Sequence, residues 1–194
     1  MSAVGATVWL TGLPGAGKTT IADAVAGGLA EVGYAHYRLD GDVLRTTLNA
    51  DLGFDLDSRQ ENVRRAAHLA CTLADAGIVA VVSLISPYRA GRTQARALHE
   101  AMEIPFLEVY LDTPLEECER RDPRGLYARA RRGEIVGMTG IDDPYEPPET
   151  AELVVHPGRT SIEETTNGVL EAVFALDLSR ALRTAPSAAV NPPR

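Results

Sequence analysis

The chain has 194 residues, 45% of them hydrophobic, which suits one α/β domain with a sizeable core and leaves little for a second. Its formal net charge of −8 argues against broad nucleic-acid binding, which depends on neutralising phosphates. The longest apolar run, 78–85, is far too short to span a bilayer, so no membrane partner is expected.

Two cysteines, Cys71 and Cys118, lie far apart, which argues against a disulfide framework or a metal site and for a reduced cytoplasm. The first five residues carry no basic segment and no cleavage signature, so secretory export is not expected.

In chain order, 6–10 reads as a short buried strand and 12–19 as a glycine-rich turn. A helix follows over 18–31, with Ile21, Val25 and Leu29 on one face, and Gly33 stops it. A second strand over 34–39 ends at Asp40-Gly41-Asp42, and 43–48 reads as helix. The spacing predicts a longer helix over 58–76, with Ser58 as N-cap and Glu61 completing a capping box. A central strand at 78–85 breaks at Ser86-Pro87; helix 90–102 and strand 106–111 follow. Another helix starts near Thr113 with Pro114 in its first turn. A basic helical stretch at 126–132, an irregular loop at 137–148, a short strand at 153–155 and a helix over 161–182 complete the domain, 1–182. The Pro/Ala-rich tail 183–194 is expected to be disordered.

Alternating strands and helices predict an α/β fold: a mostly parallel sheet of about five strands with helices on both faces. Ligands then gather at the carboxyl ends of the strands. The glycine loop, the Asp40/Asp42 pair and Ser86 all follow predicted strands, so they should share that edge.

Gly12-Leu13-Pro14-Gly15-Ala16-Gly17-Lys18-Thr19 fits the pattern G-x-x-x-x-G-K-[ST]. Glycines let the backbone curl so that N–H groups converge on phosphate oxygens, and the helix that follows presents its positive end to the same anion. Eighteen of the nineteen cationic side chains are arginine, and the one lysine, Lys18, sits in this loop. Lys18 would reach the β- and γ-phosphates of ATP and Thr19 would ligate Mg²⁺. Pro14 lacks an N–H but precedes the donors the cradle needs. Asp40 and Asp42 read either as a solvated turn or, beside this loop, as a carboxylate pair: one supports the metal through water, the other orients or deprotonates an attacking hydroxyl.

Arg120, Arg121, Arg124, Arg129, Arg131 and Arg132 form a dense basic cluster. It reads either as a solvated helix face or as a lid that neutralises transferring phosphate, with Gly125 and Gly133 as hinges. His36, His68, His99 and His156 show no acid at useful spacing and read as surface or core residues. The residues alone leave the acceptor open, between a nucleotide and another small alcohol such as a nucleoside, sugar or antibiotic. A nucleotide-dependent binding module is the third reading, disfavoured by the carboxylate pair and the arginine cluster.

Several ordered segments resemble the adenylyl-sulfate kinase family over about residues 7–155. They are Leu39-Asp40-Gly41-Asp42 with Arg45 and Asp51-Leu52-Gly53-Phe54; Arg59 with Glu61-Asn62; Ile85-Ser86-Pro87-Tyr88-Arg89-Ala90; Arg121-Asp122-Pro123-Arg124-Gly125-Leu126-Tyr127; and Thr139-Gly140-Ile141-Asp142-Asp143-Pro144-Tyr145-Glu146. The resemblance implies a P-loop kinase fold with a basic lid formed by Arg129, Arg131 and Arg132. It implies phosphorylation of the 3′-hydroxyl of adenylyl sulfate by Mg·ATP, in sulfate assimilation, and a homodimer. Gly12 to Thr19 and Thr20 would hold ATP. Asp42, Arg45, Phe54, Arg59, Asn62, Ile85, Ser86, Arg124, Gly137 and Met138 would hold adenylyl sulfate, with Phe54 stacked on adenine. Lys18 and Asp42 would serve the transfer, and Ser86 stands at the family's phosphoserine position. Four departures from the family pattern stand out: Pro14 for Ser, Val43 for Asn, Ala128 for a basic residue, and Met138 for the usual Phe. The last is expected to cost roughly 0.5–1.5 kcal/mol of substrate binding.

Overall fold

The computed structural model describes residues 5–176. Its strands are β1 (Thr7–Thr11), β2 (His36–Asp40), β3 (Val79–Ser83), β4 (Phe106–Leu111) and β5 (Leu153–Val155). Its helices are α1 (Lys18–Glu31), α2 (Gly41–Thr46), α3 (Leu56–Asp75), α4 (Arg89–Ala101), α5 (Leu115–Arg121), α6 (Leu126–Arg131) and α7 (Ile162–Phe174).

All five strands are parallel, in the order β2-β3-β1-β4-β5. The central strands are buried on both faces, so they read as apolar runs without polar alternation. Successive side chains of β1 serve different cores. Val8 and Leu10 pack with Ile21, Val25 and Leu29 of α1 and Val169 and Val173 of α7. Trp9 faces the other layer with Ala66, Ala67 and Ala70 of α3 and Ala95 of α4. Full burial of each large apolar side chain stabilises the domain by about 1.5–3 kcal/mol. The small alanine face of α3 lets that helix lie close to the sheet and brings its first turn to the carboxyl edge.

Several boundaries differ from the sequence reading, each for a local reason. Helix α3 starts earlier because Asp55, not Ser58, is its N-cap: the Asp55 carboxylate accepts from the Ser58 N–H at 2.9 Å and its hydroxyl at 2.7 Å. Glu61 is not part of a capping box; it accepts from Arg64 and Arg65. Helix α2 begins at Gly41 because the Asp40 carboxylate caps it. Pro114 is the residue before α5 rather than inside its first turn. At α7 the capping box is real, made by Ser161 and Glu164, a Ser-x-x-Glu signal the sequence reading missed. That helix ends at Phe174 with Ala175 as its C-cap, short of the expected end at 182; residues 177–182 of that expectation and the 183–194 tail lie outside the described residues.

Among the described residues no helix is long and apolar enough to cross a membrane. His99 is a core residue, bonded to Thr7 Oγ1 at 2.8 Å and to the Ala95 carbonyl at 2.7 Å.

Candidate active site

The loop between β1 and α1 turns on glycines in left-handed conformations: φ is +76° at Gly15 and +104° at Gly17. At Gly12 a Cβ would lie 2.8 Å from the Leu111 carbonyl oxygen, so only glycine fits the approach to β4. Helix α1 starts with no side-chain cap and no acidic residue in its first turn. Its first N–H groups are therefore open to an anion.

The Lys18 ammonium donates to the carbonyls of Gly12 at 2.9 Å and Leu13 at 2.8 Å. Burial pushes its pKa down to about 8, opposed by the neighbouring Cys118, Asp42 and Asp40 and reinforced by Arg124. Thr19 Oγ1 donates to Asp40 Oδ2 at 3.1 Å, and Ser83 Oγ donates to the same oxygen at 3.0 Å. Burial acts to raise the Asp40 carboxyl, but the Asp42 N–H, the Ser83 and Thr19 hydroxyls and the Val43 N–H outweigh it, so the group titrates below its usual value. Asp40 is thus held ionised beside Thr19, with oxygen donors of the kind a hard divalent cation takes. Thr20 is exposed on the next position of α1.

Asp42 is exposed on α2 and ion-paired with Arg124. Across the same edge, Phe54 presents a ring 64% exposed, with the Arg45 guanidinium 4.3 Å from its centroid and that of Arg59 6.0 Å away. Arg59 is buried and joins three segments, donating to the carbonyls of Phe54 and Gly137 and to Thr139 Oγ1. Asn62 is buried and accepts from Asn49 Nδ2 at 2.8 Å. Ile85 is half-buried, its carbonyl held by Thr11 Oγ1. Arg45, Phe54, Arg59 and Gly137 are thus linked by direct contacts, and Asp42 is linked to Arg124.

Three expectations meet a different geometry. Ser86 is only 2% exposed and its hydroxyl accepts from the Trp9 indole N–H at 3.0 Å, so that oxygen is turned into the protein and not toward solvent. Met138 is 6% exposed and belongs to the core group around Leu13 and Tyr127, so little of its thioether is open to a ligand. The lid arginines do not converge on the loop: Arg129 and Arg132 pair with Glu134, and Arg131 pairs with Glu119. These pairs are solvent-exposed and weakly held, so a triphosphate can compete for the guanidinium groups.

The sequence reading gave no role to Arg92. This buried guanidinium pairs with Glu108 Oε1 at 2.9 Å and donates to the carbonyls of Ser86 and Glu146, each at 2.6 Å. It braces the Ser86 turn, whose φ is +46°, against the 139–147 loop. The available signal was Glu108, a carboxylate inside the apolar strand F-L-E-V-Y-L.

A family model described as Adenylylsulphate kinase matches residues 4–156. The chain belongs to the adenylylsulphate kinase family. The bifunctional enzyme CysN/CysC of Mycobacterium tuberculosis is 51% identical over 167 residues, covering 86% of this chain and 27% of that protein. The chain therefore spans about a quarter of that relative's length. The adenylyl-sulfate kinase of Clostridium acetobutylicum is 47% identical over 167 residues, covering 86% of this chain and 82% of that one. The solved structure of Mycobacterium tuberculosis APS kinase CysC, in complex with AMPPNP and APS, matches with a TM-score of 0.87 at 48% identity, covering 89% of this chain and 99% of that one. The three-layer fold with its central P-loop is that of the adenylylsulphate kinases. The relatives named here include kinases that share this fold and its P-loop.

Proposed function

We propose that the chain transfers the γ-phosphoryl group of ATP to the 3′-hydroxyl of adenylyl sulfate, giving 3′-phosphoadenylyl sulfate and ADP. One observation carries the reading: an anion nest holding Lys18 opens on the same sheet edge as an exposed aromatic ring flanked by two guanidinium groups. The first suits a triphosphate. The second suits an adenine with an anionic tail. The solved relative with AMPPNP and APS supports the same pairing of ligands.

In this reading Gly12 to Thr20 hold ATP. Thr19 and, through water, Asp40 are the residues that would hold Mg²⁺, which when bound supplies charge neutralisation at the phosphates. Lys18 offsets charge on the transferred group as the Leu13 and Gly12 carbonyls release it. Asp42 turns from Arg124 to the 3′-hydroxyl. That oxygen attacks phosphorus in line, the bond to the β-phosphate oxygen breaks, and the hydroxyl proton passes to Asp42. Arg45, Phe54, Arg59, Asn62, Ile85, Ser86, Arg124 and Gly137 form the acceptor wall, with Met138 packed behind it in the core. Transfer is direct, because the Ser86 hydroxyl is buried against Trp9. A homodimer and a cytoplasmic location belong to the same proposal; the free thiols of Cys71 and Cys118 support the second. Light scattering tests the first, and a monomer mass refutes it.

The deciding assay is ADP release with adenylyl sulfate, a nucleoside or a sugar as acceptor, with transfer to the 3′ position read by mass spectrometry and phosphorus NMR. ADP release that does not depend on adenylyl sulfate refutes the proposal.

A further inference from the structure

An anion nest has two sides. Each peptide that turns its N–H inward turns a carbonyl outward, and a buried carbonyl needs a donor. In this loop most of those donors can be named. The Gly17 carbonyl accepts from the Ile21 N–H at 3.0 Å, which continues the helix. The Gly12 and Leu13 carbonyls accept from Lys18 Nζ, and Leu13 also accepts from the Ala16 N–H at 3.1 Å. Two carbonyls are served from outside the loop. Ala16 accepts from Thr113 Oγ1 at 3.0 Å, and Pro14 accepts from the Tyr127 hydroxyl at 2.8 Å.

These two groups of donors differ in kind. The Lys18 ammonium is also the cation a phosphate would claim, so its bonds to the loop are exchangeable. The Thr113 and Tyr127 hydroxyls are neutral and buried, with residue exposures of 4% and 2%. Nothing about an arriving anion draws them away. They come from separate elements: Thr113 follows β4 and precedes α5, while Tyr127 lies in the first turn of α6. That turn is itself pinned, because the Asp122 carboxylate accepts from the N–H groups of Tyr127 at 3.1 Å and Ala128 at 3.0 Å. The start of the arginine-bearing helix is therefore fastened to the loop by one hydroxyl.

We propose that Thr113 and Tyr127 are positioning residues for nucleotide binding: their hydroxyls hold the Ala16 and Pro14 carbonyls turned away from the anion and so keep the loop's N–H groups converged when Lys18 lets go. This deepens the reading of the loop as the ATP site and rests on it. Neither residue touches the phosphates. Each acts through the backbone, and Tyr127 also ties the basic segment's position to the loop's shape.

The test is binding of Mg·ADP and Mg·AMPPNP by calorimetry, with separate Michaelis constants for ATP and adenylyl sulfate. Thr113→Val keeps the shape and removes the hydroxyl; Thr113→Ser keeps the hydroxyl; Tyr127→Phe removes only an oxygen. Thr113→Val and Tyr127→Phe should each weaken nucleotide binding about tenfold, the effect of leaving one buried carbonyl unpaired. KM for ATP should rise in step while KM for adenylyl sulfate moves less than about twofold. Thr113→Ser should bind nucleotide within about threefold of the parent. A lower urea midpoint with unchanged nucleotide affinity, an equal rise in both Michaelis constants, or no rescue by Thr113→Ser would overturn the proposal. If one variant fails to fold, the other still decides by the same readings. Absence of nucleotide binding by the parent protein is a separate result, and it overturns the ATP-site reading itself.

Discussion

The buried ammonium of Lys18 makes stability depend on pH in an unusual direction. Its pKa is about 8 in the folded protein against an ordinary 10.5. At 1.4 kcal/mol per pH unit, the difference corresponds to about 3 kcal/mol. Between pH 8 and 10.5 the unfolded chain binds more protons than the folded one, so stability rises with pH across that window. Below pH 8 both states are protonated and the full cost of the buried charge is present. The perturbation is a pH series on the parent protein and on Lys18→Met, which removes the charge and keeps the length. Urea unfolding at pH 7.5, 8.5 and 9.5 should show the parent gaining about 2 kcal/mol relative to the variant by pH 9.5. Burial raises the Cys71 and Cys118 thiols, which act in the opposite direction over the same range. Their contribution is largely common to both proteins and cancels in the difference, apart from the coupling of Cys118 to Lys18. Parallel stability curves for the two proteins would refute the reasoning, since they would mean that the ammonium is as well solvated folded as unfolded.

The same lysine should make nucleotide binding take up protons: at pH 8, calorimetry of Mg·ADP in two buffers of different ionisation enthalpy should show about half a proton bound per nucleotide, and none in Lys18→Met. Asp42→Asn should lower kcat by about 10²–10⁴-fold in steady-state assays while ATP affinity stays within about twofold; an unchanged kcat removes Asp42 from the chemistry. Phe54→Ala should raise KM for adenylyl sulfate by about 5- to 150-fold, the worth of one stacked base, and leave KM for ATP in place. Met138→Phe should cost about 1–3 kcal/mol in urea unfolding, because residue 138 is packed in the core, and leave KM for adenylyl sulfate within about twofold; a clear fall in KM would place residue 138 against the substrate after all.

The parts of this protein that the sequence made legible are those whose physics is local. The nest is one, since its glycines, its lysine and the helix behind it are contiguous. Strand β4 is another, bounded by Pro105 and Asp112 with bulky residues between. The α3 cap is ambiguous in the sequence because Asp55, Asp57 and Ser58 all offer suitable oxygens within four positions, and the fold decides which carboxylate takes the Ser58 N–H. The state of Ser86 was illegible for a different reason: its partner, Trp9, is 77 residues away in sequence. The lid reading rests on arginine density, the flanking Gly125 and Gly133 and the family resemblance, none of which shows where the guanidinium groups point. The pairing of Arg120 and Arg121 with Glu117 follows helical spacing and could have been anticipated, whereas that of Arg131 with Glu119 needs the turn between α5 and α6. Arg59 was named for its ligand, but its bonds to Phe54, Gly137 and Thr139 show it also holding two walls of the site together.

The tryptophan of β1 gives the molecule a built-in optical probe. Trp9 is the one indole in the chain, fully buried between α3, α4 and Phe106, so its emission comes from a single apolar setting. Its N–H ends on the Ser86 hydroxyl, in the wall against which the acceptor nucleotide would rest. A shift of that wall by a fraction of an ångström changes the polarity at the indole nitrogen and hence the colour and yield of the light. Adding adenylyl sulfate should therefore change Trp9 emission without a label, on one chromophore, in the same cuvette that reports unfolding.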